Sequence, residues 1–92
     1  MHKTIWKYKI DLRKPNEFNW PINSVVRKFD QQDGVLCIWV EHPIDESKNL
    51  AEIVLMKRRF HVFGTGHNIL GRTSYIDSCF DGPFVWHLYE VG

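Results

Sequence analysis

Residues 57–73 gather three kinds of chemistry-bearing side chain: a basic run, a glycine-spaced turn and two histidines. Lys57, Arg58 and Arg59 lead through FHVF into Gly64-Thr65-Gly66-His67-Asn68, with Gly71, Arg72 and Thr73 close behind. Such a composition suits anions. Glycine lets the backbone turn sharply and approach a ligand closely. Successive N–H groups in a turn form a nest for negative charge, and guanidinium groups grip phosphate through paired hydrogen bonds. The expected site therefore joins the main chain of Gly64, Thr65, Gly66, His67 and Asn68 to the charge of Arg58, Arg59 and Arg72. Trp39 or Trp86 supplies a surface on which a ring stacks. The competing reading is a long hairpin turn beside a solvated basic strand face.

Other chemistries fit the same residues less well. From Gly66 to Thr73 the chain has the spacing of a phosphate-binding NTPase loop, with arginine in place of lysine. That loop must open a helix whose N-terminus faces the phosphate, whereas Thr73 leads into the strand-like SYIDSCF. His61, His67 and His87 invite a metal, but Asp77 and Asp81 add no diagnostic spacing for zinc. Cys79 and His87 have the types of a thiolate–base pair, yet no cation lies near Cys79 in the sequence to activate it. Ser74 and Ser78 lack the context of a nucleophile elbow. Neither catalysis, nor a metal, nor a cofactor is expected.

Composition sets the frame around this loop. Ninety-two residues make a single domain, residues 1–92, and 43% hydrophobic with 14% aromatic residues provide a dense small core. The formal charge of +1 creates no global field for polyanions or acidic membranes. Trp6, Tyr8, Lys7 and Lys9 have the types of a single-strand stacking surface, but in so small a domain such rings more often fill the core. Nucleic acid is not an expected partner, nor is a membrane, since no apolar run nears the ~20 residues needed to span one. Cys37 and Cys79 lie among apolar neighbours and read as free thiols. An intracellular, cytoplasmic setting is the expectation.

Strands must position the loop. Thr4, Trp6, Tyr8 and Ile10 alternate with Ile5, Lys7 and Lys9, a period of two. Residues 13–23 carry Pro15, Pro21 and three asparagines and read as a loop with at most a short extended piece. Residues 24–31 and 35–42 form a hairpin about Asp33-Gly34. From Leu50 to Phe63, one long strand with a bulge near Lys57 is favoured over a helix capped by Ser47. TSYIDSCF, the Asp81-Gly82 turn and PFVWHLYEV complete the pattern. The predicted fold is all-β and mainly antiparallel: a five- to six-stranded sandwich or open barrel with at most one short helix.

KTIWKY at the start, CIWV inside, FHVFGTGH and a closing FVWHLYE together resemble a family of small uncharacterised proteins found largely in phages and prophages. The family is catalogued as a domain of unknown function, and the resemblance runs nearly end to end. The GTGH and VWH blocks are its more specific parts. It implies a phage or prophage accessory protein that acts by binding, including against host immunity. On that reading the partner is a small anionic, nucleotide-type ligand sequestered by a homo-oligomer. The alternatives are a host defence protein that the chain inhibits, or a structural adaptor role.

Overall fold

The computed structural model describes residues 2–92 and contains seven strands. They are β1 (His2–Lys9), β2 (Asn16–Pro21), β3 (Val25–Gln32), β4 (Val35–Ile44), β5 (Leu55–Gly64), β6 (Thr73–Asp81) and β7 (Phe84–Val91). Two antiparallel sheets result, in the orders β1-β4-β3 and β2-β5-β7-β6. They pack face to face as an open sandwich, as the all-β expectation required. No helix among the described residues is long and apolar enough to cross a membrane.

Alternation decides which side chains meet between the sheets. Ile38 and Val40 of β4, Phe29 of β3, Phe60 of β5 and Leu88 of β7 are fully buried. Burying each such side chain stabilises the fold by about 1.5–3 kcal/mol. Trp20 and Phe18 of β2 stack at 4.8 Å and meet Tyr8 of β1 across the interface. Both free cysteines, Cys37 and Cys79, are buried. Burial, reinforced by Asp30, Asp81 and Asp77, pushes the Cys79 thiol up to about 11.

Three local expectations need correction. Residues 16–21 form a true edge strand rather than loop, held by a backbone ladder to β5 from Asn16↔Phe60 to Pro21↔Leu55. The buried Asn16 side chain organises the turn before it, accepting from the Asp11 N–H and donating to the Asp11 and Lys14 carbonyls. Pro21 is tolerated because it ends an edge strand, where a missing N–H breaks little. Residues 50–63 are not one strand: Asn49 caps a single 3-10 turn, Leu50–Glu52, before β5 begins. The β5 ladder is regular at Lys57, and the bulges fall instead in β3 between Val26 and Lys28 and in β6 between Tyr75 and Asp77. These irregular positions are tied across the sandwich, where Asp77 Oδ2 accepts the Phe29 N–H at 3.1 Å.

A buried polar relay crosses the interior. Ser24 Oγ donates its one proton to the Pro21 carbonyl at 2.6 Å, so the His42 Nδ1–H must donate to Ser24 Oγ at 2.7 Å. His42 Nε2 is then the acceptor for the Tyr8 hydroxyl, also at 2.7 Å. This is the arrangement of a neutral ring. Burial lowers its pKa below the ordinary histidine value, and the nearby Arg58 charge lowers it further.

Candidate functional site: the Gly64–His67 turn and the start of β7

β5 and β6 both run antiparallel to β7 and flank it, so residues 65–72 must travel back along the sheet to connect them. The journey starts with a tight turn. The His67 N–H donates to the Gly64 carbonyl at 3.1 Å, and Gly66 has φ +88°. That is the type II arrangement, whose third residue favours glycine because its φ is positive. Gly64 itself has no positive φ; its role is close approach. A Cβ there would lie 3.0 Å from His67 Cε1 and 3.3 Å from Trp86 Cζ3.

The turn straddles the end of the four-stranded sheet. On the inner side, His67 folds back so that its Nδ1 accepts the Gly64 N–H at 3.2 Å, and both its ring and Trp86 border the space a Gly64 Cβ would fill. A neutral His67 therefore carries its proton on Nε2 and offers it outward. On the other side, Thr65 Oγ meets His87 Nε2 at 2.9 Å. His87 Nδ1 meets Ser78 Oγ at 2.7 Å, and Ser78 meets the Tyr75 hydroxyl at 2.8 Å. Phe84 and Trp86 stack at 5.5 Å to form a shelf. Gly64, Thr65, His67, Pro83, Phe84 and Trp86 line a groove of about 500 Å³. Neither the Thr65 nor the Gly66 N–H finds a protein acceptor among the described residues.

The structure thus assembles Gly64, Thr65, Gly66, His67 and Trp86, with exposed Asn68 following the turn. It does not bring the arginines to them. Arg59 pairs with Val91 of β7 while Gly64 pairs with Trp86, a separation of roughly 17 Å at strand rise. Arg58 faces the interior and bonds both oxygens of Glu90, at 2.8 and 2.7 Å, and the Ser24 carbonyl. Its guanidinium also lies 5.4 Å from the Trp20 ring and 5.5 Å from Phe60. Arg59 is paired with Glu17, whose carboxyl it holds below the usual range by hydrogen bonding and charge. Arg72 precedes Thr73, which is aligned through Val91 with Arg59, so it lies at the far end too. Trp39 belongs to the other sheet, where Lys28 sits 5.9 Å from its ring. The clustering of these groups in sequence is undone by strand length.

His87, Ser78, Tyr75 and Phe84 were not among the expected site residues. The hairpin pairing Asp81↔Phe84 carries Ser78↔His87 with it by arithmetic alone, so that pair was available from the turn. Thr65 reaches them only through the three-dimensional path of the loop. Cys79 and His87 do not pair: Cys79 packs in the core, whereas His87 bonds Ser78 and Thr65. His61 packs against Phe63, the ring centroids 4.8 Å apart and tilted by 32°, instead of joining His67.

An open two-sheet sandwich with a turn-built groove at one sheet end is the class defined by this geometry. The chain belongs to a family described as a domain of unknown function (DUF7352), whose model matches residues 1–92. No curated protein and no solved structure matches it.

Proposed function

We propose that this chain is a phage or prophage accessory protein that sequesters a nucleotide-derived immune signal without turning it over. What supports this reading most is that the two distinctive sequence blocks, FGTGH and VWH, are joined by the Gly64↔Trp86 pairing and the Thr65–His87 hydrogen bond, and that Gly64, Thr65, His67 and Trp86 line one groove. A base stacks on the Phe84–Trp86 shelf, a contact worth about 1–3 kcal/mol for single bases. The free N–H groups of Thr65 and Gly66 and the His67 Nε2–H donate to its polar atoms. With Arg58 and Arg59 engaged in ion pairs elsewhere, affinity depends only weakly on salt, unlike a phosphate clamp built from guanidinium groups. Pairing of edge strands across a two-fold axis makes the protein a homo-oligomer in the host cytoplasm.

Thermal-shift titration against cyclic and ADP-ribose-type nucleotides tests this. One of them is expected to stabilise the protein strongly and to be recovered intact after denaturation. His67→Ala and Trp86→Leu weaken it at least about tenfold, whereas Arg72→Ala leaves affinity unchanged. Recovery of an altered nucleotide makes the protein an enzyme. A flat response with a host protein co-purifying supports the second reading, inhibition of a defence effector, which exposed Tyr75, Phe80 and Phe84 favour.

A further inference from the structure

We propose that the cleft between β1 and β2 is a second binding site, independent of the groove, for a small organic monocation with an apolar body, such as a quaternary or methylated ammonium. Trp6 marks the cleft. Alternation puts it on the inner side of β1 with Tyr8 and Ile10, yet it is 60% exposed. Tyr8 meets Phe18 and Trp20 of the facing sheet, but Trp6 finds no ring partner among the described residues. The sheets part there, leaving a cleft of about 430 Å³ lined by Trp6, Tyr8, Trp20 and His42. Through Pro21 and Pro43 it continues into a further hollow of about 210 Å³. Those sizes lie at the scale of small-molecule sites, on the order of 300–1,000 Å³.

Charge selects the occupant. Among the described residues the interior offers no free positive group, because both His42 nitrogens are engaged, burial disfavours the charged ring, and Arg58 is held by both oxygens of Glu90. At the mouth Asp45 and Glu46 outnumber Lys48, with exposed His2 3.3 Å from Glu46. Hydrogen bonds from the Ser47 hydroxyl and N–H keep the Asp45 carboxyl below its usual range, so it is ionised near neutrality. Indole and phenol faces are themselves negative, and they attract cations most strongly when the site is shielded from water. The same ring system already holds one cation from its inner side, the Arg58 guanidinium over Trp20. A phosphate-bearing ligand meets the opposite field, so the cleft and the groove take different molecules.

The test compares choline with its uncharged carbon isostere, in which a tert-butyl group replaces the trimethylammonium. Tryptophan fluorescence and proton NMR titrations follow binding to the full chain. Choline is expected to bind about 3- to 30-fold more tightly than the isostere. Asp45→Asn narrows that ratio and Lys48→Gln widens it. Trp6→Ala, at an exposed position, removes saturable binding of both; Trp6→Phe restores part of it. Equal affinity for the two probes overturns the cation assignment, and saturable binding of neither overturns the site. His67→Ala, which disables the nucleotide groove, leaves choline affinity unchanged; a loss there shows that the two sites are not independent.

Discussion

Replacing Glu90 with glutamine separates a structural arginine from a ligand-binding one. Arg58 has 16% of its side chain exposed and Glu90 27%, so most of this pair is withdrawn from water. Removing one partner of a buried ion pair costs about 3–5 kcal/mol, because the remaining charge stays buried. Two features reduce that figure. Arg58 keeps its bond to the Ser24 carbonyl and its contacts with Trp20 and Phe60, and the glutamine oxygen still accepts one hydrogen bond. An expected loss of about 2–3 kcal/mol follows, equivalent to roughly 10–20 °C in Tm for a domain of this length. The matched control is Glu17→Gln, which breaks an exposed pair with Arg59 and is expected to cost less than about 1 kcal/mol. Urea and thermal unfolding, followed by far-UV circular dichroism and tryptophan emission, measure both. A Glu90→Gln loss no larger than that of Glu17→Gln would refute the assignment of Arg58 to the core and return it to the pool of free cations.

The remaining expectations concern the two engaged histidines. Gly64→Ala introduces a Cβ 3.0 Å from the His67 ring and 3.3 Å from Trp86, so the exposed imidazole must give way by a few tenths of an ångström; a loss of about 1 kcal/mol of stability and a weakened nucleotide response are expected together. Full ligand binding by Gly64→Ala would remove His67 from the site. His42 has its folded-state pKa lowered by burial and then by Arg58. Below the unfolded value near 6.5, the unfolded chain therefore binds more protons, and stability falls as pH drops through that point. Urea midpoints from pH 8 to pH 5 are expected to decline in the natural chain and to decline less steeply in His42→Asn. Parallel profiles would show that His42 is not held neutral by the fold.

Much of the architecture was legible because period-two alternation and tight-turn residues are local signals. Asp33-Gly34 and Asp81-Gly82 marked two hairpins, and the pairing across each turn followed from them as far as the bulges in β3 and β6. β2 escaped detection because Pro15, Pro21 and its asparagines imitate a loop. Its extended form depends on pairing with β5, whose partners lie about forty residues away. The glycine turn was visible as a turn, but the use of its amides was not. That His67 folds back onto the Gly64 N–H, and that Trp86 lies beside Gly64, is set by the folded turn and the β5–β7 ladder.

What the sequence determined by itself was most of the alternating strands, the turns between them and the types of group near residue 64. Only the tertiary structure decided which of those groups share a space. A strand separates residues by ~3.3 Å each, so five positions in sequence already exceed any hydrogen bond and most of a small ligand. That is why Arg59 belongs with Glu17 and Val91 while Thr65 belongs with His87, twenty-two residues away. Packing two sheets likewise turned Arg58 inward to Glu90 and left Trp6 facing an open cleft. Those outcomes depend on which faces must exclude water, a property of the assembled sandwich and not of any single segment.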